Sequence, residues 1–292
     1  MSFKIHVIHD LWYGYNEPTE PEDLVLPDVD VVILNGNLSY TIKRSMLYAF
    51  ELANMYPNIH FVYNDGYAER YLQTVEKWEY EASDSMKVRM SSSADWPKNL
   101  HWKDPRSDQG IEIVLKTGQT ISVWTCFGFP EVIQYDSWED TWFYKNIGVK
   151  ETLYTNFDHD VFLPESDIKF FGNVIEWATP EYVNQQFKEQ ETKIRNWEHS
   201  AKPTATHDEF NVPVERTNWK AKYFGILVTH LNPYKDPRLD NIKYKSYNIH
   251  WDNRPWITTN QEKPMNFLGS KLCSNAGRGS GPRSKFLEVD IF

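Results

Sequence analysis

Residue types that can bind a metal ion or transfer a proton stand directly after several apolar runs of this sequence. They are Asp10, Asn37, Asn64, Asp65 and His230. Each run has the length and apolar character of a buried strand, and ligands of α/β proteins bind where the carboxyl ends of parallel strands meet. We therefore expect these side chains to share one cleft at the carboxyl ends of the central strands.

A strand–helix–strand order predicted within the first 63 residues would position the first four of these side chains. Strands are predicted at residues 3–8, 29–34 and 59–63. The segment between the last two strands carries apolar residues at helical spacing from Ile42 to Ala53, and Pro57 ends the helix that this spacing predicts. Strands that alternate with helices in this way are typical of a parallel sheet.

Further elements are less regular. They are predicted as a helix at 69–88, a hairpin of strands at 111–115 and 120–127, a helix at 180–199, and strands at 223–229, 271–274 and 286–292. Residues 128–220 are rich in aromatic side chains and otherwise carry little pattern. Because no repeat and no linker is evident, the sequence predicts one α/β domain over residues 1–292 with a variable middle at about 128–220.

Composition limits the classes of partner. The 41 acidic and 31 basic residues give a net charge of −10, which disfavours a protein that binds nucleic-acid backbones. Two cysteines form no disulfide framework, and neither a secretory leader nor an apolar run of the ~20 residues that a membrane helix needs is evident. We expect a soluble, cytoplasmic protein without a membrane partner, whose many aromatic rings build its core.

Three segments near the N-terminus carry a resemblance to known motifs. They are Ile5-His6-Val7-Ile8-His9-Asp10-Leu11-Trp12, Leu34-Asn35-Gly36-Asn37-Leu38 and Phe61-Val62-Tyr63-Asn64-Asp65-Gly66-Tyr67. In order and spacing the chain resembles the calcineurin-like metallophosphoesterase family, whose motifs are Asp-x-His, Gly-Asp, Gly-Asn-His-Asp/Glu, a lone His, and Gly-His-x-His. In that family two divalent metals share a bridging carboxylate and activate water.

The N-terminal motifs depart from the family at the residues that matter most. Trp12 stands at the second ligand of Asp-x-His, and Asn37 stands at the bridging Asp. In the third motif, an alignment without a gap puts Asp65 at the metal-binding Asn and Gly66 at the catalytic His. An alignment shifted by one residue keeps Asn64 as the ligand and puts Asp65 at the His position. Both alignments remove the catalytic acid.

The C-terminal motifs show the same loss. His230 matches the lone His after its strand, whereas Thr258-Thr259-Asn260-Gln261 stands where Gly-His-x-His belongs, so Thr259 and Gln261 replace two ligands. The following segment, Leu272 to Gly279, is similar to the closing strand and turn of the family. The resemblance covers residues 3–72 and 223–292.

The resemblance implies a four-layer α/β/β/α sandwich whose two-metal site is degenerate. No catalytic residue and no resident cofactor is expected. One weakly bound divalent metal at most is expected, at Asn37, Asp65 and His230. Asp10 is either a vestigial ligand or a loop carboxylate that caps backbone N–H groups, and Trp12 is interpreted as a plug that fills the vacated site.

These features favour a pseudoenzyme that acts as a non-catalytic binding or scaffold protein with a protein partner. Two alternatives stay open at this point. One is a residual phosphoesterase that acts on a phosphodiester or a nucleotide, and the other is a structural subunit of a larger assembly such as a virus particle.

Some basic and imidazole side chains receive no role from the sequence. Residues 277–285 are interpreted as a flexible Gly-rich turn rather than a phosphate cradle, and the run of Lys235, Arg238, Lys243 and Lys245 as a solvated loop. His6, His9, His60 and His250 show no ligand spacing and are interpreted as ordinary histidines.

Overall fold

Strands supply most of the regular structure. A computed structural model describes residues 2–11, 20–26, 28–39, 42–70, 96–104, 107–147, 178–201, 224–248, 255–259, 265–267, 270–274 and 283–290. The strands are β1 (Ser2–His9), β2 (Val31–Asn35), β3 (His60–Asn64), β4 (Leu100–Trp102), β5 (Ile111–Val114), β6 (Thr120–Cys126), β7 (Glu131–Tyr135), β8 (Phe224–Thr229), β9 (Ile242–Lys245), β10 (Pro255–Thr258), β11 (Met265–Phe267), β12 (Ser270–Ser274) and β13 (Arg283–Asp290). The α-helices are α1 (Ile42–Met55), α2 (Tyr67–Arg70), α3 (Trp142–Asn146) and α4 (Pro180–Ala201).

The strands form two large sheets and a small ribbon. In the first sheet, of order β13-β1-β2-β3-β4, strands β1 to β4 are parallel and β13 runs antiparallel to β1. In the second, of order β11-β12-β10-β8-β6-β5, the four central strands are parallel and both edge strands are antiparallel. Strands β7 and β9 pair separately. The chain is therefore an α/β protein with mixed sheets, and this confirms the class predicted from the sequence.

Apolar side chains on both faces of the central strands explain their continuous hydrophobic runs. Val31 and Ile33 of β2 lie in one buried cluster with Ile226 and Val228 of β8, so this cluster joins the two sheets. On the opposite face of the first sheet, residues of β2 and β3 share a second cluster with α1. Residues of β6 and β10 share a third with α4, in which Trp197 lies against Trp124.

Most predicted elements agree with the structure to within a few residues. The hairpin of β5 and β6 and the helix α4 lie where the sequence predicts them. For the helix predicted at 69–88, only residues up to 70 are described, and Trp12, Gln261 and most of the 277–285 segment lie outside the described residues. No helix in the described ranges is long and apolar enough to cross a membrane.

Candidate functional site

The side chains of Asp10, Asn37 and His230 come together where β1, β2 and β8 end. Asp10 and Asn37 both have left-handed backbone, with φ of 55° and 52°, which Asp and Asn tolerate better than most residues. The backbone N–H of Asp10 donates to the carbonyl of Gly36 at 3.1 Å, so the two loops are joined directly. The sharp turns point these side chains into one cluster.

Both carboxylate oxygens of Asp10 accept hydrogen bonds from neighbouring side chains. Oδ2 accepts from His9 Nδ1 at 2.6 Å, and Oδ1 accepts from Asn37 Nδ2 at 2.5 Å. Burial alone would raise the pKa of Asp10, but the hydrogen bond from His9 and the charge of Arg238 hold that pKa well below its ordinary range. Asp10 is therefore ionised. His9, interpreted from the sequence as ordinary, belongs to the site.

The His230 ring has one defined tautomer. Its Nδ1 lies 3.0 Å from the carbonyl oxygen of Asn35, which can only accept, so Nδ1 carries the proton. The lone pair of Nε2 then accepts from Arg238 Nη1 at 2.9 Å. Burial, together with the positive charge of Arg238, lowers the pKa of His230 to about 3, so the imidazole is neutral at physiological pH.

Arg238 is the largest correction to the sequence interpretation, which put it in a solvated loop. Its guanidinium donates from Nε and Nη2 to the two oxygens of Asp236, at 2.7 Å and 2.6 Å. Nη2 also donates to Thr259 Oγ1 at 2.9 Å. Burial opposes the charge, but Asp236 outweighs it and raises the pKa of Arg238. The side chain is only 14% exposed, so it belongs to the site and not to solvent.

A short turn returns Arg238 to the end of β8. Asp236 caps a single 3-10 turn, Pro237–Leu239, by accepting from the backbone N–H of Arg238 at 3.0 Å. Its other oxygen accepts from the N–H of Asn232 at 2.9 Å. Asp followed by Pro is a common start of such a turn. The Asp-Pro-Arg order was the signal that could have indicated an inward-facing arginine.

Thr259 lies at the end of β10 and completes the cluster. Its hydroxyl donates to the His230 carbonyl at 2.6 Å while it accepts from Arg238. A threonine thus occupies the position at which the family resemblance expects a histidine ligand, and it bonds to an arginine and to the backbone. The cluster of Asp10, Asn37, His230, Asp236, Arg238 and Thr259 is called the guanidinium cluster below.

Asn64 and Asp65 stand at the end of β3. The Asn64 amide donates to Asn35 Oδ1 at 2.8 Å and to the Cys126 carbonyl at 3.1 Å, so it joins the ends of the two sheets. Asp65 is buried and lines a neighbouring cleft together with Lys103 and Lys193.

Gly66 has no room for a side chain. A Cβ built there would lie 2.5 Å from the backbone nitrogen of Asn37 and closer still to its Oδ1. Gly36, at φ 80°, makes the reciprocal approach, since its Cβ would lie 2.5 Å from Gly66 Cα. The loops after β2 and β3 therefore touch through their backbones. A histidine at position 66 is incompatible with this loop geometry.

Glu69 organises both loops, and the sequence analysis assigned it no role. The carboxylate accepts from the backbone N–H groups of Asn37, Leu38 and Gly66 at 3.1, 2.9 and 2.9 Å. It also accepts from Ser45 Oγ at 2.9 Å. Burial raises the pKa of Glu69 to about 7, against the lowering effect of these hydrogen bonds. A lone Glu five residues after the end of β3 gave no recognisable signal.

The chemistry of the donor set does not fit a two-metal centre. Asn37 directs an N–H, not an oxygen, towards Asp10 and towards His230 Nε2, which lies 3.4 Å away. The His230 lone pair accepts from a cation. Within the described ranges, no three His, Cys, Asp or Glu side chains form a group that could hold a metal ion. Metals need oxygen or unprotonated nitrogen at these positions.

Comparisons with known proteins give little further guidance. No protein-family model matches the chain, and no curated protein matches it. Among solved structures, the chain is similar to the phosphopantetheinyl hydrolase of Mycobacterium tuberculosis, with a TM-score of 0.48 and 11% sequence identity. The similarity covers 95% of this chain and 90% of that one. A similarity of this size establishes neither a shared family nor a shared function.

Proposed function

We propose that this chain is a degenerate metallophosphoesterase-like protein of four-layer α/β/β/α architecture that binds a protein partner in the cytoplasm without catalysing phosphoester hydrolysis. The order of the motif remnants along the chain supports the family. The observation that carries the loss of activity is the hydrogen bonding of Asp10 and His230, whose ligand atoms are already used by neighbouring side chains.

The chemistry of hydrolysis explains why this observation matters. A two-metal phosphoesterase needs a bridging carboxylate to bring two dications within about 4 Å and so generate a hydroxide. Asn37 is neutral and donates its amide hydrogen to Asp10. At Gly66 the loop geometry leaves no space for a side chain that could protonate a leaving oxygen. Both the nucleophile and the acid of the family mechanism are therefore missing.

The four-layer arrangement draws its support from the buried clusters. One cluster joins the facing surfaces of the two sheets, and the outer surfaces carry α1 on one side and α4 on the other. Two sheets that pack face to face with helices outside bury all four sheet surfaces. In such a sandwich the ends of β1, β2, β3 and β8 open to the same edge, which is where the guanidinium cluster lies.

Turnover of bis(p-nitrophenyl) phosphate with added Mn²⁺ tests the loss of activity. We expect the wild type to be no faster than the matched variant Asp10→Asn, because neither assembles a metal-bound hydroxide. Asn is nearly isosteric with Asp and keeps one oxygen that can accept from His9 or Asn37. A wild-type rate that exceeds the Asp10→Asn rate at least tenfold would establish a residual phosphoesterase.

The partner part of the proposal rests on apolar side chains that the ribbon and an adjoining loop leave in solvent. Ile133 is 47% exposed, Tyr135 41% and Tyr234 53%. Tyrosine is enriched where proteins bind each other, and the buried centre of such an interface is mostly apolar. Affinity capture with the wild type and with Ile133→Asp/Tyr234→Asp tests this. A partner that both proteins retain equally would contradict a role for these side chains, and so would a wild type that retains no partner. Self-association detected by light scattering would favour a structural subunit.

A further inference from the structure

We propose that the guanidinium of Arg238 occupies the cation position of this site and excludes divalent metal ions from it. The inference rests on the proposed function, because it supplies the physical reason why a degenerate metallophosphoesterase site holds together without metal. The guanidinium touches an imidazole nitrogen, a carboxylate and a hydroxyl oxygen. These are the group types that also bind divalent metals.

The contacts of Arg238 overlap one metal site of the family alignment. The family resemblance implies that His230 and the position now held by Thr259 would bind the same metal, and Arg238 donates to the side chains of both. The resemblance gives that site two more positions, Asp65 or Asn64 and Asn37, and Asn37 Nδ2 lies 3.4 Å from His230 Nε2. One cation therefore bonds to two of the positions that would surround the ion and lies beside a third.

His230 shows most directly why the two cations compete. Nε2 has one lone pair, and Arg238 Nη1 lies 2.9 Å from it. A zinc ion bound to the same nitrogen would lie roughly 2.0–2.1 Å away, on the axis that the N–H now occupies. The ion and the guanidinium cannot share this lone pair, and their charges repel each other.

Charge explains why this guanidinium needs a carboxylate partner. Asn37 is neutral where the family resemblance places a bridging Asp, so it supplies no negative charge to balance Arg238. Asp236 then pairs with Arg238 through two parallel hydrogen bonds, with its own side chain wholly buried. A buried carboxylate with this geometry needs a permanent cation.

Metal binding by Arg238→Met and by the wild type tests the proposal, with ZnCl₂ or MnCl₂ against EDTA. Methionine keeps the length of the side chain and removes the charge, and Asp236, His230 and Thr259 then remain as ligands. We expect the wild type to melt at the same temperature in both conditions. We expect Arg238→Met to be stabilised by metal, by roughly 5–10 °C at a hundredfold excess over Kd.

Two controls separate this site from adventitious binding. The pair Arg195→Met/Glu191→Gln removes a comparable ion pair from the surface of α4, where the arginine side chain is 51% exposed, and it should give no metal-dependent shift. Adding His230→Ala to Arg238→Met should abolish the shift. If Arg238→Met does not fold, the variant Arg238→Met/Asp236→Asn replaces it, because it does not leave the buried Asp236 carboxylate without a cation. Its affinity for zinc, measured by calorimetry, should exceed the wild-type affinity at least tenfold.

Two outcomes overturn the inference. One is a folded Arg238→Met variant, or the folded double variant, that gains no His230-dependent affinity for metal. The other is stoichiometric zinc binding by the wild type that His230→Ala abolishes. His230-dependent zinc binding by the wild type without phosphodiester turnover would refute this inference alone. A wild-type turnover rate at least tenfold above that of Asp10→Asn would refute the proposed function.

Discussion

Replacement of Glu69 by Gln is expected to change how the stability of this protein depends on pH. The carboxylate accepts four hydrogen bonds, two at each oxygen. In the variant, the better orientation puts the amide nitrogen towards Leu38 and Ser45, because the Ser45 hydroxyl can turn and accept. The N–H of Leu38 is then left without an acceptor, whereas the protonated carboxyl of the wild type at pH 5 still offers it an oxygen. An orphaned buried N–H costs about 1–3 kcal/mol, so we expect a loss of about 2 kcal/mol at pH 5.

The pH dependence follows from the pKa of Glu69, which burial raises from its ordinary value of 4.5 to about 7 in the folded state. Between these values the folded protein holds a proton that the unfolded chain has released, so the wild type loses stability as pH rises. The shift corresponds to an upper limit of about 3 kcal/mol. Glutamine does not titrate, and the stability gap between variant and wild type should therefore narrow by about 2–3 kcal/mol from pH 5 to pH 8.

Urea unfolding at pH 5, 6, 7 and 8 measures both effects. Glu112→Gln, on the exposed face of β5, is the matched control and should follow the wild type at every pH. A gap that stays constant over this range would refute the reasoning. It would mean that the three backbone N–H groups keep Glu69 ionised even at pH 5, so that hydrogen bonding outweighs burial.

Two further substitutions test the contact between the loops after β2 and β3 and the effect of a second carboxylate beside Asp10. Gly66→Ala should lower the free energy of unfolding in urea by at least about 2 kcal/mol, because its Cβ would lie 2.5 Å from a backbone nitrogen. Gly118→Ala would have nothing within 4 Å of its Cβ, so it should lose only the free energy that a positive φ costs an alanine. Equal losses would contradict the contact. Asn37→Asp removes a hydrogen bond to Asp10 and adds a like charge, so the pKa of the new carboxyl at position 37 should be raised. The free energy of unfolding of this variant should therefore fall by about 2 kcal/mol relative to wild type as the pH rises from 5 to 8. Asn241→Asp, at an exposed position, should show no such fall.

The sequence predicts the strands of this protein better than its site. Strands β2 and β8 are apolar on both faces because both faces are buried, and a continuous apolar run is readable without knowledge of partners. The strand ends that carry Asp10, Asn37 and His230 follow from those runs. What each side chain bonds to there depends on contacts between distant segments, and no local pattern encodes it.

Arg238 and Glu69 are two residues whose hydrogen-bond partners the local sequence does not predict. Arg238 stands among lysines in a polar segment, and the composition of that segment alone predicts a side chain exposed to solvent. It faces inward because Asp236 caps the turn before it and binds its guanidinium. Glu69 stands on a four-residue helix, and its importance comes from backbone N–H groups 31 and 32 residues earlier in the chain. Periodicity reports the burial of apolar residues, not the pairing of polar ones.

Polar side chains at the strand ends have a structural role in this fold that does not depend on catalysis. Where the strands stop, buried carbonyl groups need hydrogen-bond donors, since an unpaired buried carbonyl is costly. Asn35 Nδ2 donates to the carbonyl of Thr229, and Asn64 Nδ2 donates to that of Cys126, in each case from the first sheet to the second. His230 Nδ1 returns a hydrogen bond to the carbonyl of Asn35. These bonds join the two sheets at the edge where the resemblance places metals, so the fold itself needs these side chains at that edge.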